Sequence, residues 1–269
     1  MKIDPFSHED VNAFLALAAE ENWICGRWEF DFLLRHFPQG CLAARSGGAP
    51  IAFVTSIKYG KSGWIGNLVV RKDFRGKGIG SNLLKKVLET LVDAGARTIW
   101  LTASEAGKTI YERFGFDTVD IIKRWFGSGT GGVGGGSDDF SLAEILEMDQ
   151  AGWGDIREAI LKEVLERGTV DFCHGGFLIG QTADEGVQLG PWSAAIRETA
   201  GKLLDGVRMR LEEDTRVFLD APVRNVDAAM LLHSRGFTIE GSALLMFLGE
   251  LPDYDPTRIY ALATMGSMG

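Results

Sequence analysis

Three glycines and two cations stand in the run Arg75-Gly76-Lys77-Gly78-Ile79-Gly80. An apolar segment ends just before it, at Val70, and an amphipathic one, Ser81–Ala94, follows. A strand that turns through glycines into a helix brings bare backbone N–H groups and a helix N-terminus to one point, which suits a phosphate or pyrophosphate. Glycine keeps side chains out of that approach, and Arg75 and Lys77 set positive charge beside it. Other motifs carry less. Gly129-Thr130-Gly131-Gly132-Val133-Gly134 matches G-x-G-x-x-G, but no apolar strand leads into it and Ser137-Asp138-Asp139 follows instead of a helix, so it is not a dinucleotide site. Cys25, Cys41 and Cys173 are widely spaced, and His8, His36, His174 and His233 show no ligand spacing. Neither a metal site nor a disulfide frame is expected. Cys173-His174 has no strand-elbow context that would make it a nucleophile and its base.

The elements that must position the loop follow from periodicity. Val11–Glu20 and Trp28–Phe37 read as helices, the second closed by Pro38-Gln39-Gly40. Cys41–Arg45 and Ile51–Lys58 read as strands paired across Ser46–Pro50, and Trp64–Val70 as a third. Ser81–Ala94 is the helix behind the loop, stopped by Gly95. Thr98–Thr102 is a strand, Gly107–Phe114 a short helix and Phe116–Phe126 a strand. The pattern is a mixed α/β layer. Residues 127–137 hold seven glycines in eleven and are expected to form a flexible linker between units 1–126 and 138–269. The second unit repeats the grammar of the first. Arg216–Leu219 answers to Thr98–Leu101, Leu232–Phe237 to Tyr111–Phe116, and Ala200–Val207 to Asn82–Leu91. Two copies of one α/β fold are expected.

At 269 residues and 45% hydrophobic content the chain is globular. No apolar run reaches membrane-spanning length, and the acidic N-terminus has no signal core, so a cytoplasmic protein is expected. A net charge of −9 argues against nucleic acid as a partner. The charge is uneven: residues 1–126 hold 17 Lys and Arg against 14 Asp and Glu, the remainder 11 against 23. Only the first half carries a basic loop suited to an anionic ligand.

Arg75–Gly80 resembles the R/Q-x-x-G-x-G/A loop of the GCN5-related N-acetyltransferase superfamily. Ile110-Tyr111-Glu112-Arg113-Phe114-Gly115-Phe116 is similar to that superfamily's later L-Y-E-K-x-G-F motif, at a fitting distance. The second half is similar to the C-terminal domain of a bacterial group of tandem acetyltransferase-like proteins, through Leu189–Ala194, Phe218–Pro222, Leu231–Phe237 and Arg258–Ala263. The resemblance implies two tandem folds of the superfamily, each a mostly antiparallel sheet flanked by helices. It also implies acetyl-coenzyme A (acetyl-CoA) as cosubstrate without a metal, and a small amine as acceptor. Backbone groups of Gly76 to Ser81, Ile79 included, would hold the pyrophosphate. Leu68, Val69 and Val70 would pair with the pantetheine arm, and Tyr111 would be the general acid. Ser104 stands where the superfamily often has Asn. Glu21, with Glu29 and Asn67 as further candidates, is taken as the base, and Trp23, Trp28 and Asn67 as acceptor-side residues. In the second half Gly190-Pro191-Trp192 replaces the glycine loop and Leu232 the tyrosine, although Asn225 is kept. That copy is expected to bind no cofactor. The other function consistent with an intact loop is a CoA-binding sensor without turnover; oligomeric state is open.

Overall fold

The computed structural model describes residues 1–134 and 137–269. The first half runs β1 (Lys2–Pro5), α1 (Val11–Glu20), α2 (Arg27–His36), β2 (Leu42–Ser46), β3 (Ala49–Lys58), β4 (Ser62–Val70), α3 (Ile79–Asp93), β5 (Thr98–Ala103), α4 (Lys108–Glu112) and β6 (Asp117–Ser128). The second runs α5 (Leu142–Trp153), α6 (Glu158–Arg167), β7 (Thr169–Cys173), β8 (Gly176–Ala183), β9 (Gly186–Ala194), α7 (Arg197–Arg210), β10 (Arg216–Pro222), α8 (Val226–Ser234), β11 (Thr238–Gly249) and β12 (Ile259–Ala261). Helix α3 shows why these segments fold as they do. Ile79, Leu83, Leu84, Val87, Leu88 and Leu91 are its buried residues, a single stripe at helical spacing that packs on the sheet. No described helix is long and apolar enough to cross a membrane.

The two halves share one sheet, in the order β1-β2-β3-β4-β5-β11-β6-β10-β9-β8-β7. Their terminal strands are exchanged. β11, from the second half, lies antiparallel to β5 from Thr98↔Gly249 to Ala103↔Leu244. β6, from the first half, lies antiparallel to β10 from Arg216↔Ser128 to Pro222↔Ile122. β6 and β11 also pair with each other, with two register shifts. Each half therefore completes its sheet with the other's last strand, and no edge is left at the join. The divide expected at residue 126 falls inside β6.

Packing ties the halves further. Trp64 of β4 and Trp100 of β5 meet Trp153 of α5 edge to face, with ring centroids 5.9 and 5.8 Å apart. Asp155, buried between α5 and α6, accepts from the backbone N–H of Lys61 and Ser62 and from the Ser62 hydroxyl, at 2.5–3.1 Å. This satisfies the β3–β4 turn from the opposite half. Beyond β12, residues 262–269 form a strap that crosses back to the first half. Leu262 N–H donates to Asp220 O, Thr102 Oγ1 to Met265 O, Asn67 N–H to Gly266 O, and the Tyr59 hydroxyl to Met268 O. The start of the glycine-rich segment is held as well. The N–H groups of Thr130 and Gly131 donate to Arg208 and Leu211 at the end of α7, and that of Gly129 to Thr215 just before β10. Of the remaining expected linker, residues 135 and 136 lie outside the described residues.

Candidate active site

Strands β4 and β5 are parallel neighbours only from Ser62↔Thr98 to Ile65↔Leu101. Past Ile65 they separate, and at that point β4 carries a bulge. Its pairing with β3 jumps from Val69↔Phe53 to Gly66↔Thr55, and Asn67 adopts φ 58°. Asparagine tolerates that left-handed backbone better than most residues. The edge of β4 over Leu68, Val69 and Val70 is thereby released from sheet pairing on the β5 side, and Leu68 and Val70 stay half-buried. A ligand with an extended amide chain can pair there as a strand would.

The glycine loop stands at the mouth of this opening. Gly76 and Gly78 have φ 74° and 75°, and a Cβ on either would meet nothing within 4 Å. Gly78 caps α3 with no side-chain cap. The N–H groups from Gly76 through Ser81 have no partner among the described residues. Helix α4 closes the opposite side, and the resulting cleft of about 540 Å³ is lined by Val70, Gly76, Gly78, Ser81, Ile110 and Arg113, among others. Unpartnered N–H groups, a helix N-terminus and open space above glycine backbone fit the pyrophosphate of a CoA thioester.

The cations are placed differently from one another. Arg75 donates from Nε to Val70 O at 2.8 Å and from Nη2 to Glu21 Oε1 at 2.6 Å. Lys77 donates to Asp73 O at 3.1 Å and lies over the Phe74 ring. Arg113 lines the cleft without an ion pair among the described residues. Sequence reasoning did not single it out, although it stands two residues past Tyr111 in the second motif.

Tyr111 is buried on α4, with its ring against Phe116 at 5.9 Å. Burial pushes its phenol up to about 12. The hydroxyl has no hydrogen-bond partner among the described residues, and it is not one of the fully enclosed polar atoms. Ser104 is exposed, and its Oγ accepts from Gly107 N–H at 3.1 Å, which secures the turn into α4.

The residues expected to face an acceptor lie on or between α1 and α2 and on β4, with the strap beside them. Glu21, the base expected from sequence, is engaged by Arg75 and lies 3.9 Å from Lys72. It ties the α1–α2 connection to the glycine loop. Trp23 is 41% exposed, and Trp28 is half-buried under the Arg167 guanidinium. Asn67 and Glu29, by contrast, are brought together. Glu29 Oε1 accepts from Gly26 N–H at 2.6 Å, closing the first turn of α2. Glu29 Oε2 accepts from the hydroxyl of Ser267 on the strap. The same hydroxyl is 3.2 Å from Asn67 Oδ1, and Asn67 Nδ2 donates to Thr55 Oγ1 at 2.9 Å. Burial pushes the Glu29 carboxyl up to about 7, against the lowering effects of Ser267, Gly26 and Arg124.

The second half has the same opening, filled. β9 and β10 are parallel only at Val187↔Val217 and Gln188↔Phe218. Past that point β12 enters between them, pairing with β9 at Ile259↔Ser193 and Ala261↔Trp192, while Leu262 N–H donates to Asp220 O of β10. Asn225 does not serve a ligand there. Its Nδ2 donates to Ile259 O at 2.9 Å and Thr257 O at 3.3 Å, and its Oδ1 caps α8. Gly190-Pro191-Trp192, expected at the loop position, lies within β9. The true counterpart of the loop is residues 195–196, between the end of β9 and the start of α7, against residues 71–78 in the first half. The cradle is absent because the turn is too short to form one.

Comparison with known proteins agrees with this geometry. The Acetyltransferase (GNAT) family model matches residues 6–116 and the Acetyltransferase (GNAT) domain model residues 145–261. An uncharacterised N-acetyltransferase of Methanocaldococcus jannaschii is 29% identical over 113 residues, 37% of this chain and 48% of that protein. The match to the ribosomal protein bS18 alanine N-acetyltransferase of Haemophilus influenzae, 34% identical, covers 24% of this chain and 47% of the relative. The matched segments thus span about half the length of these two relatives. Holothin acyltransferase of Pseudoalteromonas is 23% identical over 97% of this chain and 92% of its own. A crystal structure assigned as an acetyltransferase from Pyrococcus horikoshii superposes with a TM-score of 0.83 at 22% identity, covering 100% of this chain and 95% of that one. Matched in both halves and alike in fold along its whole length, the chain is a tandem member of the GNAT acetyltransferase superfamily.

Proposed function

We propose that the protein is an N-acetyltransferase that moves the acetyl group of acetyl-CoA to the primary amine of a small acceptor, by direct attack in a ternary complex at one centre in the first half. Family membership supports acyl transfer. The observation that carries the finer reading is the contrast between the two openings: β4 and β5 part beside an unobstructed glycine cradle, while β12 fills the gap between β9 and β10. Acetyl-CoA supplies the acyl thioester. The N–H groups of Gly76 to Ser81, with Arg113, would hold its pyrophosphate. The freed edge of β4 would pair with its amide arm, and a backbone N–H at Leu68 or Val69 would polarise the carbonyl. Holding the amine against that carbon supplies much of the rate.

Tyr111 would face the departing sulfur. Burial holds its phenol well above the ordinary range of a thiol, so full proton transfer ahead of C–S cleavage is uphill. The phenol therefore acts as a hydrogen-bond donor that gives up its proton only as negative charge develops on sulfur. A small acceptor is favoured because the strap and the second half cover the face of β4 beside Asn67. Thiol release from acetyl-CoA over tyramine, putrescine, glucosamine, lysine and a lysine peptide tests the reading. Amine-dependent release supports it; binding without release by any of these amines supports a CoA sensor instead.

A further inference from the structure

Three oxygens stand in a row on the acceptor side of the β4 bulge: Glu29 Oε2, Ser267 Oγ and Asn67 Oδ1. They come from α2, the strap and β4, separated by 238 and 200 residues of chain. The orientation of Asn67 is fixed, because Thr55 Oγ1 donates to Gly66 O and therefore accepts from Asn67 Nδ2. Its Oδ1 is thus an acceptor, and so is an ionised Glu29. Ser267 has one proton to offer to the two of them. With Glu29 protonated the row is complete: the carboxyl donates to Ser267, which donates to Asn67. With Glu29 ionised, Ser267 turns to the carboxylate and Asn67 Oδ1 loses its donor. A buried acceptor without a partner is costly, and an N–H brought by another molecule relieves it.

We propose that Glu29, reached through the hydroxyl of Ser267, takes the proton that the acceptor amine gives up, while Asn67 Oδ1 receives an amine N–H. This rests on the acetyltransferase reading of the site. The ammonium form of the acceptor passes one proton to Ser267 Oγ as the Ser267 proton moves to Glu29. The free amine attacks the thioester carbon, a C–N bond forms and the C–S bond breaks. The second amine proton leaves the adduct to solvent, the sulfur takes its proton from Tyr111, and Tyr111 is reprotonated from solvent. The products are the amide, the CoA thiol and a protonated Glu29 that returns its proton to solvent.

The groups that face Glu29 are consistent with this role. Ser267 and the Gly26 N–H favour the carboxylate, as does Arg124 of β6 at longer range. Arg124 is itself held by Asp220 at 2.7 and 2.8 Å. Cys25, just before α2, stays a thiol because burial and the nearby Glu29 push it up to about 12. Glu29 is the group of this cluster that changes charge near neutrality. Sequence could not single it out, since Ser267 lies at the far end of the chain.

Glu29→Gln tests the proposal. The amide keeps both hydrogen bonds, accepting from Gly26 and donating to Ser267, so it copies the protonated state and preserves the fold. Thiol release is measured with the same five amines across pH 5.5–9, and acetyl-CoA binding by calorimetry. In the wild type, rate rises with pH through about 7 as Glu29 ionises. In Glu29→Gln, kcat falls at least about 100-fold and that limb disappears, with acetyl-CoA affinity unchanged. Ser267→Ala removes the hydroxyl through which Glu29 is reached, so kcat falls and the limb disappears as in Glu29→Gln, and Ser267→Thr, which keeps a hydroxyl, restores both. If the wild type turns over an amine and Glu29→Gln matches it in rate and pH profile, Glu29 is not the proton acceptor and the acetyltransferase reading stands. If the wild type binds acetyl-CoA but turns over none of the amines, both are overturned.

Discussion

Alanine at Gly78 and at Gly80 separates the loop's role in folding from its role in binding. Gly78 has φ 75° with nothing within 4 Å of a Cβ. The methyl group itself meets no obstacle, but an L-residue in the left-handed region costs about 1–2 kcal/mol. For a chain of this size that lowers Tm by roughly 2–8 °C. Gly80 lies in the first turn of α3 with ordinary helical backbone. Its Cβ would rest 3.5 Å from Val70 Cγ2 and 3.7 Å from Ile110 Cδ1, normal contact distances. Alanine there gains up to about 1 kcal/mol of helix propensity, so Tm stays level or rises. Gly78 and Gly80 both line the cleft in which the N–H groups are displayed. Displacing the anion from one charge-assisted hydrogen bond costs about 1.5–3 kcal/mol, a loss of acetyl-CoA affinity of roughly 10- to 100-fold. The two variants should therefore differ in the sign of their effect on Tm and agree in weakening binding, read by thermal unfolding and calorimetry. Wild-type affinity in a fully stable Gly80→Ala would show that the loop does not hold the pyrophosphate.

Three further outcomes follow from the geometry. Tyr111→Phe should lower kcat by about 100-fold and leave the Kd for acetyl-CoA unchanged, because the hydroxyl has no partner among the described residues; equal kcat across pH removes the tyrosine from the reaction. Glu21→Gln should tighten acetyl-CoA binding by up to about 5-fold at low salt, since breaking an exposed ion pair worth at most about 1 kcal/mol frees Arg75, and the gain should fade at high salt. A cut within residues 129–137 should leave the two pieces associated through size-exclusion chromatography, because β11 is hydrogen-bonded to β5 and β6; pieces that separate in native buffer would contradict the exchange.

Much of this molecule is written locally, and the parts that are not share one cause. The glycine loop, the helix behind it and the Tyr111 motif rest on neighbours in sequence, and periodicity and turn chemistry place them. The strand exchange depends on which of two terminal strands, β6 or β11, lies against β5. Both have twelve residues, and nothing in either alone chooses the partner. The filling of the second opening is equally nonlocal. β12 is three residues long, too short to read as a strand, and its place depends on Asn225 and on pairing with β9. Glu21 lies in the helical region that resembles the superfamily's acceptor-binding lid, but its ion pair with Arg75, 54 residues away, is not written locally. Glu29 takes a hydrogen bond from Ser267, 238 residues away, and its raised carboxyl comes from burial in the assembled fold. Asn225 matches the superfamily's motif locally, but its task as the clamp of β12 depends on carbonyls of Thr257 and Ile259 more than thirty residues on.

One acetyl-CoA site per chain, formed by the Arg75–Gly80 loop, is the claim on which the rest depends. Calorimetric titration of the full chain with acetyl-CoA measures it directly. A stoichiometry of about one that is lost in Gly78→Glu, with the variant still folded, is the expected result. Two equivalents bound, or a single equivalent that survives Gly78→Glu, would place the site elsewhere and contradict it.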